Sequence, residues 1–308
     1  MLNNPFSLRK DQCGQRPIYY LGNELGDCPH NCTFCDVGHS QKVTAADNIE
    51  LFFELHKQFM RLIEGPYHPL IYNQGNITNP LEFSESSLQR ILQEFNKDPR
   101  IGYVSLNSRS CYITHALLRL LISYDLTFPI HFIFGLESFS DRAKVLFGKN
   151  TTGDIHQLID ILRPYNQSTG GKIRGDYRFG LDVNLVFLPE MYLKEGESRA
   201  GNEQAIAAGM RWELEQLLSS IDPSVPVEIN LHPYYAVEKL PFESIDLSFF
   251  MNELPALQAL VNKHNQINTD RRTHLFVGLE GGGYDQNHLL NWVGQVEKFN
   301  ATGIFVGY

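Results

Sequence analysis

Along the chain, short runs of β-branched and aromatic residues alternate with longer stretches whose apolar positions recur at helical spacing. IYYLGN at 18–23 reads as a strand. Between 45 and 63, Ile49, Phe52, Phe53, Phe59, Met60 and Ile63 gather near one face, which predicts an amphipathic helix. LIYNQ (70–74) is the next strand, followed by a helix over 84–95, strand YVSLN (103–107), a helix over 113–124 and strand IHFIFGLE (130–137). Segments 141–147 and 155–162 read as helices broken by GKNTTGD, whose Gly, Asn and Asp suit a turn. LDVNLVFL (181–188) predicts a strand, 202–219 a helix, VEINLH (227–232) a strand, 249–264 a helix and HLFVGLE (274–280) a seventh strand.

Strand and helix in strict alternation mark βαβ units, and the right-handed crossover rule curls such units into a full or partial (β/α) barrel of parallel strands. The expectation is an α/β protein with about six βα units, one domain over 1–308, and no evident internal linker. Chemistry in such barrels sits at the carboxyl ends of the strands, which selects the residues to weigh. Two Gly-rich polar stretches, 162–180 and 188–202, fit neither period and read either as substrate lids or as solvated connections.

Composition narrows the classes. With 43% hydrophobic residues the chain can bury a large core, which excludes wholesale disorder. The net charge of −9 argues against a general nucleic-acid coat or an anionic membrane partner. No apolar run approaches the roughly 18 residues that span a bilayer, and the start MLNNPFSLRKDQ lacks the apolar core of a signal peptide, so a cytoplasmic protein is expected. In that reducing compartment five cysteines are better read as ligands or free thiols than as a disulfide framework.

Three of them cluster directly after the first predicted strand. In GNELGDCPHNCTFCDVG, Cys28, Cys32 and Cys35 have the spacing C-x3-C-x2-C. Soft thiolates so close together suit an iron-sulfur cluster, and three ligands leave one iron of a four-iron cluster open. A structural zinc site using His30 or His39 as fourth ligand is the alternative, although the second knuckle usual in such sites is missing. Cys13 and Cys111 stand apart and read as structural thiols.

The run CPHNCTFC, with Phe34 before the third cysteine and the loop placed after the first strand of a βα barrel, resembles the radical S-adenosylmethionine (SAM) superfamily. The resemblance covers roughly residues 17–235, leaving 236–308 as a C-terminal βα extension. It implies a 4Fe-4S cluster held by Cys28, Cys32 and Cys35, SAM bound at the open iron, and hydrogen abstraction by a 5′-deoxyadenosyl radical. A flavodoxin- or ferredoxin-type electron donor is implied as well. QGNIT (74–78) falls where the superfamily carries a Gly-Gly-Glu-like segment for the SAM amino group; Gly75 and Asn76 match its place, but the acidic residue is absent. GLESFSDRAKVLFGK (135–149) is similar to the Gly-Leu/Val-Glu-Ser segment of the methylthiotransferase, elongator-like and archaeosine-synthase-like branches, which would put Glu137 and Ser138 near SAM.

Asn184, inside a buried strand, either meets the SAM adenosine or is a satisfied core amide. Arg109 suits a carboxylate or phosphate, or a surface ion pair. His232, Tyr234 and Tyr235 follow a strand at the inferred barrel mouth, where one of them would deliver a proton or hydrogen atom, or simply pack. Tyr72, Glu280 and Tyr284 complete the candidate substrate residues, the last two flanking the triple glycine of VGLEGGGYDQN. With neither a preceding cobalamin-type extension nor a cysteine-rich tail expected, hydrogen-abstraction outcomes remain: rearrangement, lyase cleavage, dehydrogenation or epimerisation of a small molecule or peptide. A tRNA-nucleobase substrate is the second reading, disfavoured by charge. A non-catalytic iron-sulfur or zinc protein is the reading from another class.

Overall fold

A computed structural model describes residues 6–11, 14–30, 32, 43–73, 75–148, 155–167, 173, 176–234, 236, 240, 242–268, 273–278 and 286–302. In chain order the elements are β1 (Phe6–Asp11), β2 (Gly14–Leu21), α1 (Ala45–Phe59), β3 (Leu70–Asn73), α2 (Glu85–Phe95), β4 (Val104–Ser108), α3 (His115–Ser123), β5 (Ile130–Glu137), α4 (Asp141–Leu146), α5 (Ile155–Asn166), β6 (Phe179–Phe187), α6 (Glu203–Ser220), β7 (Val227–Pro233), α7 (Leu247–Ile267), β8 (His274–Val277) and α8 (Gln286–Thr302). The strands form one sheet in sequential order from β1 to β8. β1 is antiparallel to β2, while β2 with β3, β3 with β4, β4 with β5, and β7 with β8 pair in parallel. This is the α/β class and partial (β/α)-barrel topology expected from the alternation. The chain divides into two compact units: the first takes 1–31, 36–134 and 153–182, the second 32–35, 135–152 and 183–308.

Two elements escape the sequence pattern. β1 precedes the first predicted strand and forms a hairpin with it, starting β2 at Gly14 rather than at 18. Its sequence FSLRKD is too polar to read as buried strand. α8 follows β8, and the predicted strand at 274–280 ends at Val277.

In the first unit the two faces of the strands do different work. Tyr19 turns outward into an aromatic cluster with Phe52 and Phe59 of α1 and Phe95 of α2, at ring distances of 5.3, 4.9 and 5.5 Å. Burial of those rings anchors both helices on the sheet, each ring worth a few kcal/mol, on the order of 3. α1 begins in a full capping box between Thr44 and Asp47. On the inner face Ile18, Leu70 and Ile133 pack together, with Tyr20 and Tyr72 stacked above them at 5.8 Å.

Below that layer lies a buried polar floor. Asp182 accepts from Ser105 Oγ at 2.6 Å and pairs with His131 Nδ1 at 2.8 Å, while His131 Nε2 meets the Tyr177 hydroxyl at 2.9 Å. Tyr103 stacks between His68 and His131, with ring distances of 4.2 and 4.0 Å, and accepts from Arg16 Nη2 at 2.7 Å. Burial works to raise the Asp182 carboxyl, but the imidazole of His131, the Arg16 guanidinium and the Ser105 hydroxyl outweigh it and hold it below the ordinary range. Gly180 makes room for this arrangement, since a Cβ there would lie 2.5 Å from His131 Nε2. No helix among the described residues is long and apolar enough to cross a membrane.

Candidate functional site

In the first unit the carboxyl ends of β2, β3 and β4 converge through a set of amide side chains. Asn73 Nδ2 donates to Asn23 Oδ1 at 2.9 Å, and Asn107 donates to the Gly75 carbonyl at 2.6 Å while accepting from Asn73 N at 3.2 Å. Thr78 and Ser108 share a hydroxyl contact of 2.6 Å. The chain leaving β2 is tied to α1, where Asn48 bonds both the N–H and the carbonyl of Gly22. It is tied to α2 by Glu24, whose carboxylate accepts from the Ser84 and Ser87 hydroxyls at 2.6 and 3.0 Å. The approach to Cys28 is therefore fixed from two sides.

Sequence reasoning found no acid beside Gly75, yet the fold supplies one. Glu82, fully buried, accepts from Asn76 N at 2.7 Å, Asn76 Nδ2 at 2.9 Å and Asn79 Nδ2 at 2.7 Å. Gly75 must be glycine here, because a Cβ would lie 1.7 Å from Glu82 Oε2. Asn76 Nδ2 also reaches Cys28 Sγ at 3.8 Å. Sequence could not flag Glu82, since it lies well past the position where the superfamily segment carries its acid.

Around this core, His30 Nε2 contacts the Tyr112 hydroxyl at 3.1 Å, so the histidine weighed as a zinc ligand has another partner. Burial pushes the Tyr112 phenol up, with negative charge at Cys111, Glu82 and Cys28 adding to the shift and Arg109 opposing it. Arg109 precedes the short 3-10 turn of Ser110–Tyr112, close to the same charges. A cavity of about 390 Å3 opens alongside, lined by Ile77, Phe83, Leu88, Cys111, Tyr112 and Leu117 among others. The candidates Cys28, Gly75 and Asn76 are thus brought together, with Arg109 near them and Tyr72 on the inner face.

The second unit holds the other group. Glu137 ends β5 with φ of 65°, and Ser138 N donates to the Leu136 carbonyl at 2.8 Å, a γ-turn of the rare positive-φ hand. Glu213 on α6, fully buried, accepts from the Ser138 hydroxyl and from Phe139 N at 2.7 Å. Burial pushes the Glu213 carboxyl up, against the Phe139, Ser138 and Ser140 hydrogen bonds and the Lys144 charge. Asn184 accepts from Asn230 Nδ2 at 2.9 Å. Tyr234 is buried with Ala143, Phe147, Leu188 and Met191, the packing alternative weighed for it, and His232 is half-buried. Phe34, Cys35, Tyr235, Glu280 and Tyr284 lie outside the described residues, as does Cys13.

Iron ligation requires unbridged, reachable thiols, and Cys28 and Cys32 are in no disulfide and half-buried. The amide donor at Cys28 and the neutral amides around Glu82 are the kind of surroundings a thiolate-held cluster uses. The donors present fit the cluster that the motif implies. Among the described residues no group of three ligating side chains is gathered.

No protein-family model and no curated protein matches the sequence. Solved structures do match. The archaeal Elp3 of Methanocaldococcus infernus aligns at a TM-score of 0.52 and 10% identity, over 84% of this chain and 64% of that one. A radical SAM methyltransferase from Sphaerobacter thermophilus aligns at 0.45 and 15% identity, over 85% and 66%. The enzyme anSMEcpe, solved with bound AdoMet and the Cp18Cys peptide, aligns at 0.47 and 12% identity, over 83% and 63%. The chain spans just under two thirds of the length of each. At these identities the likeness is one of fold, shared with that archaeal Elp3.

Proposed function

We propose that this chain is a radical SAM enzyme that abstracts a hydrogen atom from a small-molecule or peptide substrate, with rearrangement, cleavage, dehydrogenation or epimerisation as the outcome. The observation that carries the reading is the convergence of Cys28, Asn76, Gly75 and buried Glu82 at the carboxyl ends of parallel strands in a fold of this type. When bound, a 4Fe-4S cluster held by Cys28, Cys32 and Cys35 supplies one-electron cleavage of SAM to methionine and a 5′-deoxyadenosyl radical.

The chain's own residues then have definable tasks. Asn76 donates toward the Cys28 sulfur and at the same time binds Glu82, so it couples the thiolate to the acid. Glu82 is a buried acid whose oxygens accept from neutral amide donors, an arrangement that suits an ammonium group such as the amino end of SAM. Glu137 and Asn184 are assigned to the rest of the cofactor, and Arg109 and Tyr72 to the substrate. The stacked Tyr20 and Tyr72 offer an apolar wall that keeps water from a reactive intermediate. A flavodoxin- or ferredoxin-type donor supplies the electron, in the cytoplasm.

The test is anaerobic reconstitution with iron and sulfide, reduction by dithionite in the presence of SAM, and chromatography for 5′-deoxyadenosine. The unmodified chain should produce it, and Cys28→Ala should reduce it to background. Production that persists in Cys28→Ala would sink the assignment, and zinc in place of iron by elemental analysis would replace it with a structural metal site.

A further inference from the structure

We propose that Glu213 is a positioning residue for cofactor binding: through Ser138 and Phe139 it locks the strained turn that presents the Glu137 carboxylate. The proposal rests on the reading above that Glu137 meets SAM, and adds a residue that the motif does not contain.

Glu137 is a non-glycine residue at φ 65° and is almost wholly buried. An L residue stays in a positive-φ γ-turn only where its surroundings over-determine it. Here the surroundings are identifiable. Ser138 gives its hydroxyl proton to Glu213 Oε1, Phe139 gives its N–H to Glu213 Oε2 at 2.7 Å, and Ser140 N donates back to Ser138 Oγ at 2.9 Å. Ser140 then caps α4, so the clamp continues directly into a helix start. Three consecutive residues after the turn deliver polar groups to one carboxylate or to the hydroxyl it holds.

Glu213 has no need to be acidic for the sake of its own helix. α6 buries Met210, Leu214, Leu217 and Leu218 along the same side, and an apolar residue at 213 would continue that stripe. A buried carboxylate is kept only where its oxygens are satisfied, and both of them are used on the turn. Among the described residues, the other ionisable groups that act on it are Lys144 of α4 and Tyr192. The division of labour follows. Ser138, fully buried, spends its proton on Glu213 and accepts from Ser140, so it belongs to the clamp and not to the ligand. Glu137 carries the backbone strain, and the clamp fixes its place at the end of β5.

Two arms test this. In the chain without cluster, amide hydrogen exchange at Phe139 and Ser140 should accelerate by roughly tenfold or more in Glu213→Ala, because Phe139 loses its acceptor and the Ser138 hydroxyl that holds Ser140 loses its anchor. In the reconstituted enzyme the KM for SAM should rise by roughly tenfold, with kcat for 5′-deoxyadenosine changed much less. Glu213→Gln keeps one acceptor and the helix packing, so it should recover part of both effects; it also serves if the alanine variant does not fold. Arg211→Ala, on the same helix but exposed and paired with Glu253, should change neither. An active enzyme whose SAM KM is untouched by both Glu213 substitutions overturns the proposal alone. An unmodified chain that makes no 5′-deoxyadenosine overturns the functional reading and this proposal with it, and the exchange data then show whether the clamp exists as a purely structural device.

Discussion

Asp182 and Glu82 are both fully buried carboxylates of the first compact unit, and their surroundings treat the charge in opposite ways. At the floor, Asp182 meets the His131 imidazole and the Ser105 hydroxyl in the field of Arg16. At the carboxyl ends of the strands, Glu82 meets only neutral donors among its hydrogen bonds here, the amides of Asn76 and Asn79. A cationic partner cancels a buried charge, whereas dipoles solvate it and leave it in place. The floor is therefore a closed joint that holds β4, β5 and β6 together. The mouth instead places a buried carboxyl among amides alone, next to the asparagine that reaches Cys28.

The largest effect separates the two carboxylates by stability. Asp182→Asn leaves the Arg16 guanidinium buried without the carboxylate in its field and weakens the acceptor of His131 and Ser105, and should cost about 3–5 kcal/mol in urea unfolding. Glu82→Gln keeps one acceptor and removes no cation's partner, so about 1–2 kcal/mol is expected. Its larger consequence should be functional, a loss of SAM affinity at nearly intact fold. Gly75→Ala attacks the same acid sterically, because the new Cβ would overlap Glu82 Oε2. It should reproduce the affinity loss of Glu82→Gln. If Glu82→Gln unfolds the chain as severely as Asp182→Asn, the mouth is a structural joint too and the contrast fails.

Both carboxylates show where sequence reading stops. That Cys28, Gly75, Asn76 and Glu137 stand at or just after strand ends was legible, because alternation locates strand ends; what singled out the last three was the resemblance of their segments. Asp182, His131, Ser105 and Arg16 are single polar residues in apolar strands, and what pairs them is the sheet register, with partners 51 and 77 positions apart. One sequence does not contain that register. Glu213 was hidden in the same way, on a helix 75 positions from the serine it holds. β1 was missed because FSLRKD has no apolar run, and α8 because its five amide side chains and Gly294 dilute the helical stripe.

The smallest effect sharpens the contrast by pH. At the rim of the floor Asp98 accepts from Tyr67 OH at 3.0 Å and from Arg100 Nη2 at 2.7 Å. Burial works to raise the Asp98 carboxyl, but the Arg100 and Tyr67 hydrogen bonds outweigh it and hold it at about 2. Since the folded value lies below the ordinary 3.8, the stabilisation is present above that pH and is lost as pH falls toward about 2. Arg100 is partly exposed, so solvent screening limits the contribution to about 1 kcal/mol. Asp98→Asn should therefore lower the urea midpoint at pH 7 by that modest amount, and the deficit should close as both proteins are titrated from pH 4 to pH 2. A deficit that stays constant down to pH 2 would show that Asp98 acts through neutral hydrogen bonds, as Glu82 does at the mouth, and that charge pairing at this end of the strands is confined to Asp182.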